Sequence, residues 1–479
     1  MKNDIRSKPV RSRVASTRRP TASTAVGRRP RRTDSERRSL ASLLNVVRLE
    51  GPLTRQELEQ RSGLGRAVVA ARLTALARLD LAHEAELGRP TGGRAPRLVQ
   101  FRADAGLLLL GALDRAKLGV GVADASGRLL IEHHEAADPL SGPEEMLKRL
   151  TTLFDWVLEQ HRAGRPVWGI GLAVPGPIED ARGGGSFAPP GTDLPPGASA
   201  YPRAAQLSAR YAAPVAVRDG VQMRSLGELR AGAGKGTGDL LFVHLGGEIA
   251  AGLVSDGRLH RGAQGAAGMI GHVPVENGGS AVCRCGNTGC LEVVAGADAI
   301  VTEASRAARE ARSRFLAEVL AQAGAISVAD VGLAAQRGDA VSAEILSRSG
   351  RHIGSVLAAV ANAFNPALIV LGGEVVETGD ILLAAVREAI YRSAHPLVTR
   401  DLRIVRSQMG DSAALVGAAL TLIDDFFAPA FLAEWIADGA PSRHPGMALL
   451  LAHATETVEG SQAARAKPAP RGEPADGTA

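Results

Sequence analysis

Residues 283 to 290 read CRCGNTGC and hold all three cysteines of a 479-residue chain: Cys283, Cys285 and Cys290. Thiolates at such spacing could converge on one metal ion, and three buried free thiols are the plain alternative. A disulfide framework fits neither the odd count nor a reducing compartment. A second chemistry is suggested by glycine pairs that close apolar runs, as in LLFVHLGG and ALIVLGGEV. Glycine turns after strands are where α/β proteins hold phosphates, although any one such turn is weak evidence. A third lies near the N-terminus, where Arg55, Arg66, Arg72, Arg94 and Arg97 are candidates for contacting the phosphates or bases of DNA.

The elements that would carry these residues follow from composition and periodicity. At 479 residues, 45% hydrophobic and 22% charged, the chain is globular in composition and long enough for two or three domains. No stretch approaches the roughly 18 apolar residues of a membrane helix, so no membrane partner is expected. Arg37 and Arg38 precede LASLLNVV, but that run is short, amphipathic and without a small-residue cleavage site, so the chain reads as cytoplasmic. The net charge of +6 is uneven: residues 1 to 32 carry eleven Lys and Arg against Asp4 alone. Such a segment cannot bury a core, so residues 1–33 are expected to be a disordered basic arm, either merely solvated or scanning polyanions. The terminal QAARAKPAPRGEPADGTA is expected to be disordered too.

Folding signals begin at Thr33 and Glu36, which have capping-box spacing, and Leu40, Leu43, Leu44 and Val47 place an apolar stripe on one helix. Gly51-Pro52 ends it. Thr54 and Glu57 repeat the capping box for a second helix, SGLG makes a turn, and Val69, Leu73 and Leu76 give a third helix its inward face, leaving Arg66 and Arg72 outward. A strand near Leu81, the turn GRPTGGRAPR with Arg89, Arg94 and Arg97, and the strand LVQF complete a winged helix-turn-helix over residues 34–103. A small protein-binding helical domain is the alternative. From Leu107 onward, strands alternate with helices, the texture of a mixed or parallel sheet.

Together these motifs resemble the ROK family, which groups bacterial sugar kinases with sugar-responsive transcriptional repressors. The resemblance rests on GPLTRQELEQRSGL, TGGRAP, GIGLAVPGP, GLVSDGRLHRGAQGAAGMIGH, CRCGNTGCLE, LIVLGGEV and GDSAALVGAAL. It implies an α/β fold: the winged helix-turn-helix followed by a two-lobed actin-like, ribonuclease-H-like ROK domain over 104–428, with a C-terminal extension over 429–479. It also implies a structural zinc held by His272, Cys283, Cys285 and Cys290, a homodimer or tetramer, and a double-stranded DNA operator.

The sequence departs from the kinase members at four places. Ala112 and Asp114 stand where the first phosphate loop has Asp and Gly, and Glu248 stands in the second. A carboxylate in a phosphate cradle repels the ligand. Counting back from Leu226-Gly227-Glu228 puts Gly220 at the position of the catalytic Asp, with Asp219 one residue away, and Met269 replaces a sugar-binding Glu. ATP binding is therefore not expected, and Asp219 and Glu292 remain the candidates for contact with a sugar-like effector. The expectation is a repressor with a degenerate kinase-like domain; a sugar kinase that also binds DNA is the alternative.

Overall fold

The computed structural model describes residues 33–87, 97–114, 117–137, 142–161, 164–176, 204–276 and 278–447. The expected basic arm up to residue 32, the tip with Arg89 and Arg94, and the terminal tail lie outside them.

The N-terminal head comprises α1 (Asp34–Glu50), β1 (Leu53–Thr54), α2 (Arg55–Ser62), α3 (Arg66–Arg78), β2 (Ala82–Leu87) and β3 (Arg97–Phe101). Both capping boxes form: Thr33 Oγ1 accepts from the Glu36 amide at 3.3 Å, and Thr54 Oγ1 from the Glu57 amide at 3.2 Å. Each satisfies amides that the first helical turn leaves without partners. Leu40, Leu43, Leu44 and Val47 are buried against Leu58, Val69, Leu73 and Leu76. The strands pair antiparallel in the order β1-β3-β2, the arrangement of a winged helix-turn-helix with one short strand beyond the two that the sequence suggests.

The remaining chain forms two lobes. The first holds β4 (Leu107–Leu113), β5 (Lys117–Asp124), β6 (Leu129–Ala136), α4 (Gly142–His161), β7 (Val167–Val174), α5 (Ala204–Tyr211), β8 (Val215–Asp219) and α6 (Gly220–Arg230). The second holds β9 (Leu240–Leu245), β10 (Ile249–Ser255), β11 (Arg258–His260), then α7 (Leu291–Ala295), α8 (Ala297–Arg309), α9 (Arg314–Ala323), α10 (Val328–Gln336) and α11 (Ala340–Phe364). It closes with β12 (Leu368–Gly372), α12 (Asp380–Ser393), α13 (Pro396–Thr399), β13 (Arg403–Arg406) and α14 (Ser412–Phe427), and α15 (Pro429–Trp435) follows. The two sheets have the same topology: β6-β5-β4-β7-β8 and β11-β10-β9-β12-β13, with the first three strands antiparallel and the last two parallel to the central one. This duplication is the two-lobed actin-like architecture.

The last helix of each lobe packs on the other lobe's sheet. Val221 and Leu229 of α6 join Leu240, Phe242, Val254 and Val370 in one apolar cluster, while Ala414, Ala418 and Leu422 of α14 pack with Leu108, Leu110 and Ala173. The two helices touch through glycines: a Cβ on Gly417 would fall 1.8 Å from the Met223 carbonyl oxygen, and one on Gly227 would fall 2.2 Å from that of Ala413. Among the described residues no single helix is long and apolar enough to cross a membrane.

The head is joined to the first lobe by a continuous core. Phe427 at the end of α14 lies edge-on to Phe101 of the head at 5.6 Å between ring centroids, and Trp435 packs edge-on to Trp168 at 5.5 Å. Asn45 of α1 donates to the Phe427 carbonyl at 3.0 Å, and the Arg48 guanidinium lies 4.5 Å from the centre of its ring. Trp435 is fully buried, with its indole N–H donated to the Phe426 carbonyl at 2.7 Å.

Candidate functional sites: a thiol cluster, a basic head and an interlobe cleft

The segment after β11 folds into a small knuckle. A bridge pairs Pro274 with Cys290 and another pairs Val282 with Thr288, while the Cys283 amide donates to the Asn287 carbonyl at 2.7 Å. Gly286 at φ 89° and Gly289 at φ 67° take left-handed conformations that side chains disfavour, which is why glycines flank the cysteines. The ligand atoms of His272, Cys283, Cys285 and Cys290 all lie within 4.8 Å of one another. Cys285 and Cys290 sulfurs are 3.7 Å apart, and Cys283 Sγ is 3.4 Å from His272 Nδ1. A tetrahedral ion with bonds near 2.3 Å to sulfur and 2.0–2.1 Å to nitrogen separates two sulfurs by roughly 3.8 Å and sulfur from nitrogen by roughly 3.5 Å. Those two separations match edges of a tetrahedral metal site, and the remaining ligand atoms lie close enough to complete it. Burial pushes the metal-free Cys290 thiol up to about 12, so a metal binding here must displace protons.

In the head, Arg66 opens α3 with its side chain exposed, beside exposed Ala67 and Val68. Arg55 and Arg97 are also exposed, yet Glu84 of β2 draws both in: Arg55 Nε donates to its carboxylate at 2.9 Å, and Arg97 Nη1 lies 3.5 Å away. These arginines hold the Glu84 carboxyl below its ordinary range, Arg55 foremost. Arg72 corrects the expectation of an outward side chain. It is 18% exposed, donating to Ser39 Oγ at 2.9 Å and pairing with Glu36 at 3.5 Å. Its position next to Leu73 turns it toward α1, where it ties helices together. Arg94 lies outside the described residues.

Between the lobes, ion pairs surround the positions where a phosphate site is expected. Ala112 is buried in β4 opposite Gly119 and Ala173. Asp114, just past β4, receives Arg224 of α6 at 2.8 Å and faces His244 Nε2 at 3.6 Å. Burial lowers His244 to about 4, so it stays neutral. Lys117 pairs with Asp411 at 2.7 Å. Glu374, in the Gly-Gly turn after β12, accepts from the Gly247 amide, and burial raises its carboxyl above the ordinary range. A carboxylate thus takes an amide of the second glycine turn. Gly220 begins α6 and Asp219 caps it, accepting from the Gln222 amide at 2.9 Å. Glu292 of α7 is buried; it accepts from the Ile249 amide and from Arg284, each at 3.1 Å. Met269 stands half-buried before the short turn that ends at His272. Sequence reasoning missed Arg224, His244, Arg284 and Glu374; a charged residue inside the Gly-Gly turn was the signal for the last.

Residues 113–425 match the ROK family. That span is more than half of the chain. The protein belongs to the ROK family. Three relatives within reach of the ROK match delimit it. The DNA-binding transcriptional repressor Mlc of Escherichia coli is 25% identical over 377 residues, 77% of this chain and 89% of that protein. A glucokinase of Halalkalibacterium halodurans is 33% identical over 257 residues, 54% of this chain and 76% of that protein. The crystal structure of a ROK family transcriptional regulator, a homologue of the E. coli Mlc protein, superposes with a TM-score of 0.68 at 24% identity, covering 85% of this chain and all of that one, which establishes the shared fold. The ROK architecture accounts for the two matched sheets.

Proposed function

We propose that this ROK protein is a DNA-binding transcriptional repressor whose lobed domain serves assembly and effector sensing in place of phosphotransfer. The observation that carries the reading is coverage. Similarity to Mlc covers 77% of this chain and the superposed ROK transcriptional regulator covers 85%, the latter more than the residues after the head can supply, whereas similarity to the glucokinase spans 54%. Arg66 at the start of α3 is suited to guanine O6 and N7 or to phosphate, with Arg55 and Arg97 flanking on the backbone. A homodimer or tetramer would present two heads to a pseudo-palindromic operator in the cytoplasm. The ion that fits the thiol cluster best is zinc, and four protein ligands leave it no open position, so its role is structural.

The glucokinase identity favours a second reading, a sugar kinase that also binds DNA. Against it, Asp114 and Glu374 put negative charge where phosphates would sit, and Gly220 offers no base. The test is twofold. Duplexes selected from genomic DNA by the full chain are titrated against salt beside random duplex. Arg66→Ala is expected to cost about 1–3 kcal/mol on the selected site, and Glu84→Gln to strengthen binding to every duplex and steepen the salt dependence, since it releases Arg55 and Arg97. Absence of any sequence preference would overturn the repressor reading, and hexose-dependent ATP turnover would install the kinase in its place.

A further inference from the structure

Glu248 lies on the turn Gly246–Glu248 between β9 and β10, at the junction of the lobes. It is 5% exposed, and among the described residues no donor bonds its carboxylate. A buried carboxylate without a partner is costly and is ordinarily paired or hydrogen-bonded. Three cations placed nearby are committed elsewhere, while Arg261, with Arg224, acts on Asp219. Arg284, the one cation among the charges that act on Glu248 most strongly, is bonded to Glu292 at 3.1 Å. Arg224 is bonded to Asp114 at 2.8 Å and Lys117 to Asp411 at 2.7 Å, while His244 is neutral. The other strong charges on Glu248 are carboxylates from both lobes: Asp219, Glu292 and Asp114. Asp219 Oδ2 lies 1.6 Å from where a Cβ on Gly176 would stand, so the backbone at Gly176 backs directly onto this carboxylate.

We propose that the interlobe cleft binds a small organic cation, an ammonium group, with Glu248 as its counter-ion and Asp219 beside it. The inference rests on reading the lobed domain as an effector module and names the chemical class of that effector. A phosphate or carboxylate ligand would meet like charge. A divalent metal lacks a cage, because among the described residues the thiol cluster alone brings three or more ligand atoms within 4.8 Å of one another. An ammonium group spreads its three donors over separated acceptors and needs no such cage. A neutral hydroxyl could donate one bond but would bring no positive charge to favour the ionised form of Glu248. Burial together with the surrounding carboxylates already raises this group to about 7, the state a bound cation would relieve.

The experiment is calorimetric titration of the full chain at neutral pH with two amines, putrescine and glucosamine, each beside its uncharged counterpart, 1,4-butanediol and N-acetylglucosamine. At least one amine is expected to bind wild type about tenfold or more tighter than its counterpart, and Glu248→Gln to weaken that amine by about tenfold or more. Thermal unfolding of Glu248→Gln verifies that it folds, and Glu248→Asp, which keeps the charge, should bind the amine more tightly than Glu248→Gln. No binding by either amine, equal binding of the counterpart, or an affinity unmoved by Glu248→Gln would overturn the proposal. Operator affinity without amine is measured on the same samples. If it survives while amine binding fails, the cation inference alone falls; if operator binding itself is missing, the regulator reading falls with it.

Discussion

With its folded pKa raised from 4.5 to about 7, chiefly by burial, Glu248 makes stability depend on pH. The neutral form suits the fold and the charged form does not, so its contribution is fully present below the unfolded pKa and is lost as pH rises through the folded one. Glu248→Gln keeps the neutral shape at all pH values. The variant is expected to be more stable than wild type at pH 8, by up to about 3 kcal/mol, with the gap shrinking below about 1 kcal/mol at pH 5. Urea unfolding at the two pH values measures it, and equal stability at pH 8 would mean that Glu248 is solvated. Single residues also mark what the sequence could tell. Three cysteines beside Gly286 and Gly289 identified the thiol cluster because its ligands are near neighbours in the chain. The partners of Arg72 and Asp114 lie 33 and 110 residues away, at Ser39 and Arg224, and no local pattern links them.

Elements were legible where caps and periodicity coincide. Thr33 with Glu36, Thr54 with Glu57 and the leucine stripe of α1 set out the head, since each acts within one or two turns. The crossing of α6 and α14 was not legible, because it depends on two glycines 190 residues apart meeting facing backbones. It yields a prediction. Gly417→Ala puts a methyl against the Met223 carbonyl, which cannot retreat without shifting α6, so a loss of about 1–3 kcal/mol is expected in urea unfolding. An unchanged midpoint would show that the helices have slack. The knuckle yields another. Cys285→Ser removes an exposed ligand while leaving Cys283 and Cys290 buried, so it should lower bound zinc from one per chain and the melting temperature with it. Elemental analysis of wild type without zinc would refute the metal assignment.

At the scale of the molecule, the head and the first lobe share one core, and α15 closes it. Trp435→Ala removes a fully buried indole between the head and β7. A cost of about 3–5 kcal/mol is expected, together with faster proteolysis within residues 33–101 and weaker operator binding. A variant as protease-resistant as wild type, binding DNA equally, would mean that the head stands without the C-terminal helix. The sequence suggested an appended extension after residue 428, since nothing in PAFLAEW announces that its tryptophan belongs to the first domain's core. Asn45 and Phe427, bonded across the seam, are 382 residues apart. On a ribosome adding about 5–20 residues per second, the N-terminal head emerges tens of seconds before the helix that seals it. Its apolar face stays uncovered for that interval, and a prematurely terminated transcript or a trimmed product would yield a head that is translated in full yet left unfinished.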